Sequence, residues 1–121
     1  MEQDRRIRRA QQYDEALRHK TELMDTAQAV HNTALKSAKE CRLVGPGGVI
    51  DASIEAALLI ERAAKEIENS GLFTDIERDW IWRNIFDTQI RYQNEIYAAV
   101  EQGCPCAKPF MDSGPTAGDE D

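Results

Sequence analysis

Proline and glycine are missing from three long stretches of this chain, residues 1–44, 49–70 and 72–102. These stretches lack the turn chemistry that separates short strands, and no alternating apolar run lies between turn signals, so the pattern excludes a sheet. Long hydrophobic runs are missing as well. Nothing approaches the roughly 20 apolar residues that cross a bilayer, and Met1-Glu2-Gln3-Asp4-Arg5-Arg6 leads into no apolar stretch of a secretion signal. Cysteine is scarce and odd in number, three in 121 residues. That argues against a disulfide framework and for a cytoplasmic chain. Positive charge is in deficit: the net charge is −7, which makes the whole chain a poor general binder of nucleic-acid phosphate.

What is present is enough for one modest core, since 41% of the residues are hydrophobic. Gly45-Pro46-Gly47-Gly48, Gly71, and Gly103 with Pro105 cut the chain into three predicted helices, at about residues 4–42, 51–69 and 74–102. The fold class is therefore all-α: a three-helix antiparallel arrangement with a long N-terminal helix, within a helical domain of residues 1–103. Residues 104–121 read as a disordered acidic tail. The first helix carries Tyr13, Leu17, Met24, Ala27, Ala34, Ala38 and Cys41 at spacings of three, four or seven, with Leu23 and Val30 widening the stripe. At about 1.5 Å per residue it would be nearly 60 Å long, more than its neighbours can cover. Either it breaks or its overhang finds another chain, so a homodimer is expected.

The second helix takes Asp51 or Ser53 as N-cap. Its segment Ala56-Ala57-Leu58-Leu59-Ile60 is apolar almost all round and predicts the most buried helix of the three. The third has the clearest start, the capping box Thr74-Asp75-Ile76-Glu77. Its core stripe is read as Ile76, Trp80, Ile85, Ile96 and Val100, closed by Gly103 as a left-handed residue after the helix.

No set of residues assembles into a catalytic site, and the chain is read as a non-enzyme with no cofactor and no metal. Cys104-Pro105-Cys106 is spaced more tightly than the usual zinc pairs, and Cys41 and His31 are the only remote ligands that could complete a set. A helix-ending turn with ordinary or oxidisable thiols explains it better. His19 and His31 are too far apart to grip a metal on one helix face, and His31 sits on the apolar stripe as a core or interface residue. The glycine loop lacks the lysine and Ser/Thr of a phosphate loop and follows a helix instead of a strand. Arg5, Arg6, Arg8 and Arg9 form one basic cluster. Residues 1–48 hold nine Lys/Arg against seven Asp/Glu, whereas residues 49–102 hold five against eleven, so the arm could pair with the acidic half of another copy.

Trp80-Ile81-Trp82 is the most informative motif. Residues two apart on a helix point about 200° from each other. If Trp80 joins Ile76 on the core face, Trp82 falls with Phe86 on a different one. Trp82, Phe86 and either Tyr92 or Tyr97, bordered by Asp79, Asp87 and Glu95, would then form an apolar strip with a charged rim, the anatomy of a protein interface. These residues suggest a small acidic interaction module that binds a basic protein surface and modulates its owner, for example as an inhibitor or anti-activator of a regulator. The alternatives are a nucleic-acid-binding regulator working through the arginine arm and a helical binder of a metal or small ligand.

Overall fold

The structure, a computed structural model, describes residues 2–104. Three helices account for nearly all of them: α1 spans Glu2–Lys39, α2 Val49–Asn69 and α3 Asp75–Gly103, with no strand among the described residues. Apart from Cys104, the segment read as an acidic tail lies outside the described residues. No helix among them is long and apolar enough to cross a membrane.

Backbone geometry stops α1 three residues before Arg42. Cys41 adopts a left-handed φ of 57°, the Arg42 N–H donates to the Ser37 carbonyl at 2.8 Å, and the Cys41 N–H donates to the Ala38 carbonyl at 3.1 Å. These two bonds define a Schellman motif, with cysteine in the position usually filled by glycine.

The same loop starts α2. Its N-cap is Gly48, ahead of the expected Asp51 or Ser53, and no side chain caps it. The Val49 and Ile50 N–H groups instead donate to the carbonyls of Arg42 and Leu43, both at 3.1 Å. Free donors of one helix are thus met by the chain leaving the previous one. Buried Ser37 fastens this corner, its hydroxyl donating to the Gly47 carbonyl at 2.5 Å.

The capping box of α3 forms as the sequence indicates. The Glu77 carboxylate accepts the Thr74 N–H at 2.9 Å, and the Thr74 hydroxyl accepts the Glu77 N–H at 3.2 Å. The far end differs from expectation. Gly103 is the last residue of the helix and its φ is not positive. A Cβ there would lie 2.4 Å from the Ala38 carbonyl oxygen, so glycine serves close approach of α3 to α1 instead of a left-handed turn.

The core is built from small residues on α1 and α2 and isoleucines on α3. One cluster gathers Leu23, Ala27, Ile60, Ala63, Ile81 and Ile85, and a second gathers Ala34, Ala38, Val49, Ala52, Ile96 and Val100. Three hydrogen bonds join α1 to α3 at one sequence separation, 64 residues: Tyr13 to Glu77, Gln28 to Tyr92 and His31 to Glu95. A constant offset means that the two helices advance together in the same direction. α1 is the hub, while α2 and α3 meet each other over a shorter stretch.

Two expectations about packing are corrected. Ile76 and Trp80 are not core residues: they are 84% and 68% exposed, and Ile81 takes the buried position between the tryptophans. Ile81 and Ile85 meet Leu23, Ala27, Ile60 and Ala63 in the core instead. α2 is also not buried all round. Ile50, Ile54 and Leu58 are exposed at four-residue spacing, on an edge away from Ala52, Ala56, Ile60 and Ala63.

Candidate functional site: the groove between α2 and α3

Because α2 and α3 lean on α1 more than on each other, an apolar groove of about 210 Å³ opens between them. Ala56, Ala57 and Ile60 of α2 and Tyr92 and Ile96 of α3 line it, and His31 of α1 closes its floor. His31 is buried, stacked 3.9 Å from Tyr92, and its Nε2 lies 2.6 Å from a Glu95 carboxylate oxygen. The Tyr92 hydroxyl donates to Gln28 at 2.7 Å and the Arg91 guanidinium lies 5.5 Å over its ring. Burial raises the Tyr92 pKa, so the phenol stays neutral and keeps donating.

The groove has a rim on each helix. On α2 the rim is Ser53 and Ile54, continued one turn on by exposed Leu58. On α3 it is Gln89 and Gln93. Seven residues before each, two helical turns back on the same side, stand Trp82 and Phe86, 42% and 57% exposed. Trp82 borders a second depression with Glu68 of α2 and Asp75, Ile76 and Asp79 of its own helix. The Ser53 hydroxyl oxygen is buried and has no hydrogen-bond partner.

The residues singled out from sequence divide accordingly. Trp82 and Phe86 share the exposed flank, with exposed Asp79 and Asp87 on the same helix and Asp79 3.7 Å from Arg83. Tyr97 lies farther along, partly exposed. Tyr92 is buried and cannot belong to an exposed strip; its ring is part of the groove floor, held there by His31. Leu58 was hidden from sequence reasoning inside the apolar run 56–60, which looked uniformly buried, and Ile54, between Ser53 and Glu55, was not singled out. Their spacing of four is the signal that could have found them.

Cys41 and Cys104 are joined in a disulfide across 63 residues. The odd cysteine count concealed this pairing, and the bond removes the cysteine argument for a cytoplasmic chain. It also takes both thiols out of the considered Cys41, Cys104, Cys106 and His31 ligand set. Among the described residues no three His, Cys, Asp or Glu side chains converge as a metal site.

The described residues define a class: a small all-α bundle of three helices with an apolar groove between α2 and α3. Compared with known protein families, curated proteins and solved structures, the chain matches none.

Proposed function

We propose that the chain is a non-enzymatic protein-interaction module that binds another protein at the α2–α3 groove and modulates it, as an inhibitor or anti-activator would. The observation that carries this reading is the apolar floor of the groove with Ile54 on its rim, together with exposed Leu58 on α2 and exposed Trp82 and Phe86 on α3. Ile54 and Leu58, like Trp82 and Phe86, are one helical turn apart, which suits the apolar face of an amphipathic helix laid between α2 and α3. The two helices bear five basic and eleven acidic side chains over residues 49–102, so the occupant is a helix with basic flanks. The module works as a homodimer of antiparallel up-down-up subunits, an order favoured by the His19–Glu66 ion pair at 2.7 Å and the Ser37–Gly47 contact.

The test uses a synthetic amphipathic helix with leucines at positions i, i+3, i+4 and i+7 and lysines at its borders. Fluorescence is read in a Trp80→Phe background, where Trp82 is the remaining indole. Binding is expected to shift Trp82 emission to the blue, and Leu58→Ala or Phe86→Ala is expected to weaken it by about 30-fold each. No shift, or an equal shift with an aspartate-bordered peptide, would refute the reading.

One observation favours a second occupant. The unpartnered Ser53 hydroxyl lines the groove, which suits a small apolar ligand carrying one hydrogen-bonding group.

A further inference from the structure

The first turns of α1 are bare in the monomer. Residues 2–12 are helical and every one is exposed; Tyr13, packed 4.7 Å from Phe73 and bonded to Glu77, is the first to touch the bundle. Eleven residues therefore project about 16 Å beyond the body. A helix that short is marginal without tertiary packing. None of Arg5, Arg6, Arg8 and Arg9 has an ion-pair partner among the described residues, and Ile7 is exposed between them.

The contact between Tyr13 and Glu77 fixes where this arm leaves. It projects from the pole at which α3 begins. On the outer side of that same pole stand Ile76 and Trp80, one turn apart and the most exposed large apolar residues of α3. Asp75, Glu77 and Asp79 stand beside them on the helix, with Arg78 paired to Asp75 and Arg83 drawn toward Asp79.

We propose that these two features are the halves of one self-interface: the arm of each chain lies along the first turns of α3 of a second copy, reciprocally, about a two-fold axis. It rests on the reading of the chain as a dimer and supplies the surface. Three observations favour a second copy over other occupants. The arm and its target share one pole, so a single two-fold operation satisfies both contacts at once. Their lengths match, eleven residues of arm against the eleven residues 75–85 that carry Ile76, Trp80 and their charged neighbours. Their charges are opposite in sign: over residues 2–12 four arginines outnumber Glu2 and Asp4, and over residues 75–85 Asp75, Glu77 and Asp79 outnumber Arg78 and Arg83. In the dimer Ile7 covers the Ile76–Trp80 patch and the arginines reach the surrounding acids.

A reciprocal interface makes a complementation test possible. One variant reverses the arm (Arg5→Glu, Arg6→Glu, Arg8→Glu, Arg9→Glu) and a second empties the patch (Ile76→Ser, Trp80→Ala). All six positions are exposed, so folding checked by circular dichroism is expected to be unchanged. By light scattering the wild-type chain is expected at twice its 13.7 kDa mass, and each variant alone at the monomer mass. A mixture of the two retains one intact contact and is expected to recover the dimer, with at least tenfold weaker association than wild type. A wild-type monomer, or a dimer indifferent to both variants, overturns the proposal. So does an arm variant that loses binding to duplex DNA while keeping the dimer mass, because nucleic acid would then be the arm's partner. Loss of the dimer in Trp82→Ala with Phe86→Ala, but not in the patch variant, would assign self-association to the groove. The blue shift of Trp82 with the basic peptide, measured on the monomeric arm variant, tests the groove independently.

Discussion

Cys41 combines two constraints that seldom meet in one residue. Its backbone occupies the left-handed region, which costs an L-residue roughly 1 kcal/mol relative to glycine, and its sulfur ties the end of α1 to Cys104 at the end of α3. The bond closes a long loop, so the oxidised chain is expected to be more stable than the reduced one by about 2–4 kcal/mol, measured by urea unfolding with and without reductant. In reducing buffer Cys41→Gly is expected to be more stable than wild type, since the backbone strain is relieved and no staple is lost. Gly103 predicts the opposite sensitivity. Its alanine variant would press a methyl group on the Ala38 carbonyl and is expected to lose about 1–3 kcal/mol in the same experiment. Gly71, also left-handed but with open space around its Cβ position, is a poor control for crowding and a good one for φ. Neither Cys41 nor Gly103 was legible in the sequence. A cysteine count carries no distances, and a glycine at a helix end looks the same whether it serves a left-handed turn or a close approach.

Among the elements, α3 is where sequence and structure part and agree most instructively. Its start was readable because a capping box is local chemistry, fixed by four consecutive residues. Its phase was legible in part: Ile85, Ile96 and Val100 are buried as read, while in the first turns Ile76–Trp80 and Ile81–Ile85 share the same period. The choice between them is made by packing: Ile81 and Ile85 meet Leu23, Ala27, Ile60 and Ala63 in one core cluster. Ile81→Ala is therefore expected to cost about 2–5 kcal/mol, and Trp80→Ala in the monomeric arm variant to stay within about 0.5 kcal/mol, both read from chemical unfolding.

The same helix carries a pH dependence. The Thr74 backbone N–H, and then the Tyr13 hydroxyl, hold the Glu77 carboxyl below the ordinary glutamate range, and the shared bond raises the Tyr13 phenol. With its folded value depressed, Glu77 stabilises the fold fully above the unfolded carboxylate pKa, and this contribution is lost as pH falls through the lower folded value. The wild-type melting temperature is expected to drop below about pH 4, and Glu77→Gln to flatten that part of the profile.

For the whole molecule, helix number and the length of α1 were legible because glycine and proline mark the breaks. The groove was not. It exists because α1 serves as the common support for both other helices, a relation between elements that no single helix records. Of the exposed flank, Trp82 and Phe86 were within reach of sequence reasoning, since an i, i+4 aromatic pair beside carboxylates stands out. Leu58 was not, because the apolar run 56–60 gives no sign of which edge its neighbours leave uncovered.

The disulfide and the projecting arm sit at opposite poles, and this gives the molecule a direction of opening. At one pole two helix ends are covalently joined; at the other, α1 runs into solvent past Tyr13. In the oxidised, monomeric arm variant amide hydrogen exchange is expected to fall off as a gradient, fast in residues 2–12, slower through Leu23 and Ile85, and slowest beside Ala38 and Val100. The chain would come apart as a zipper with one end sewn shut.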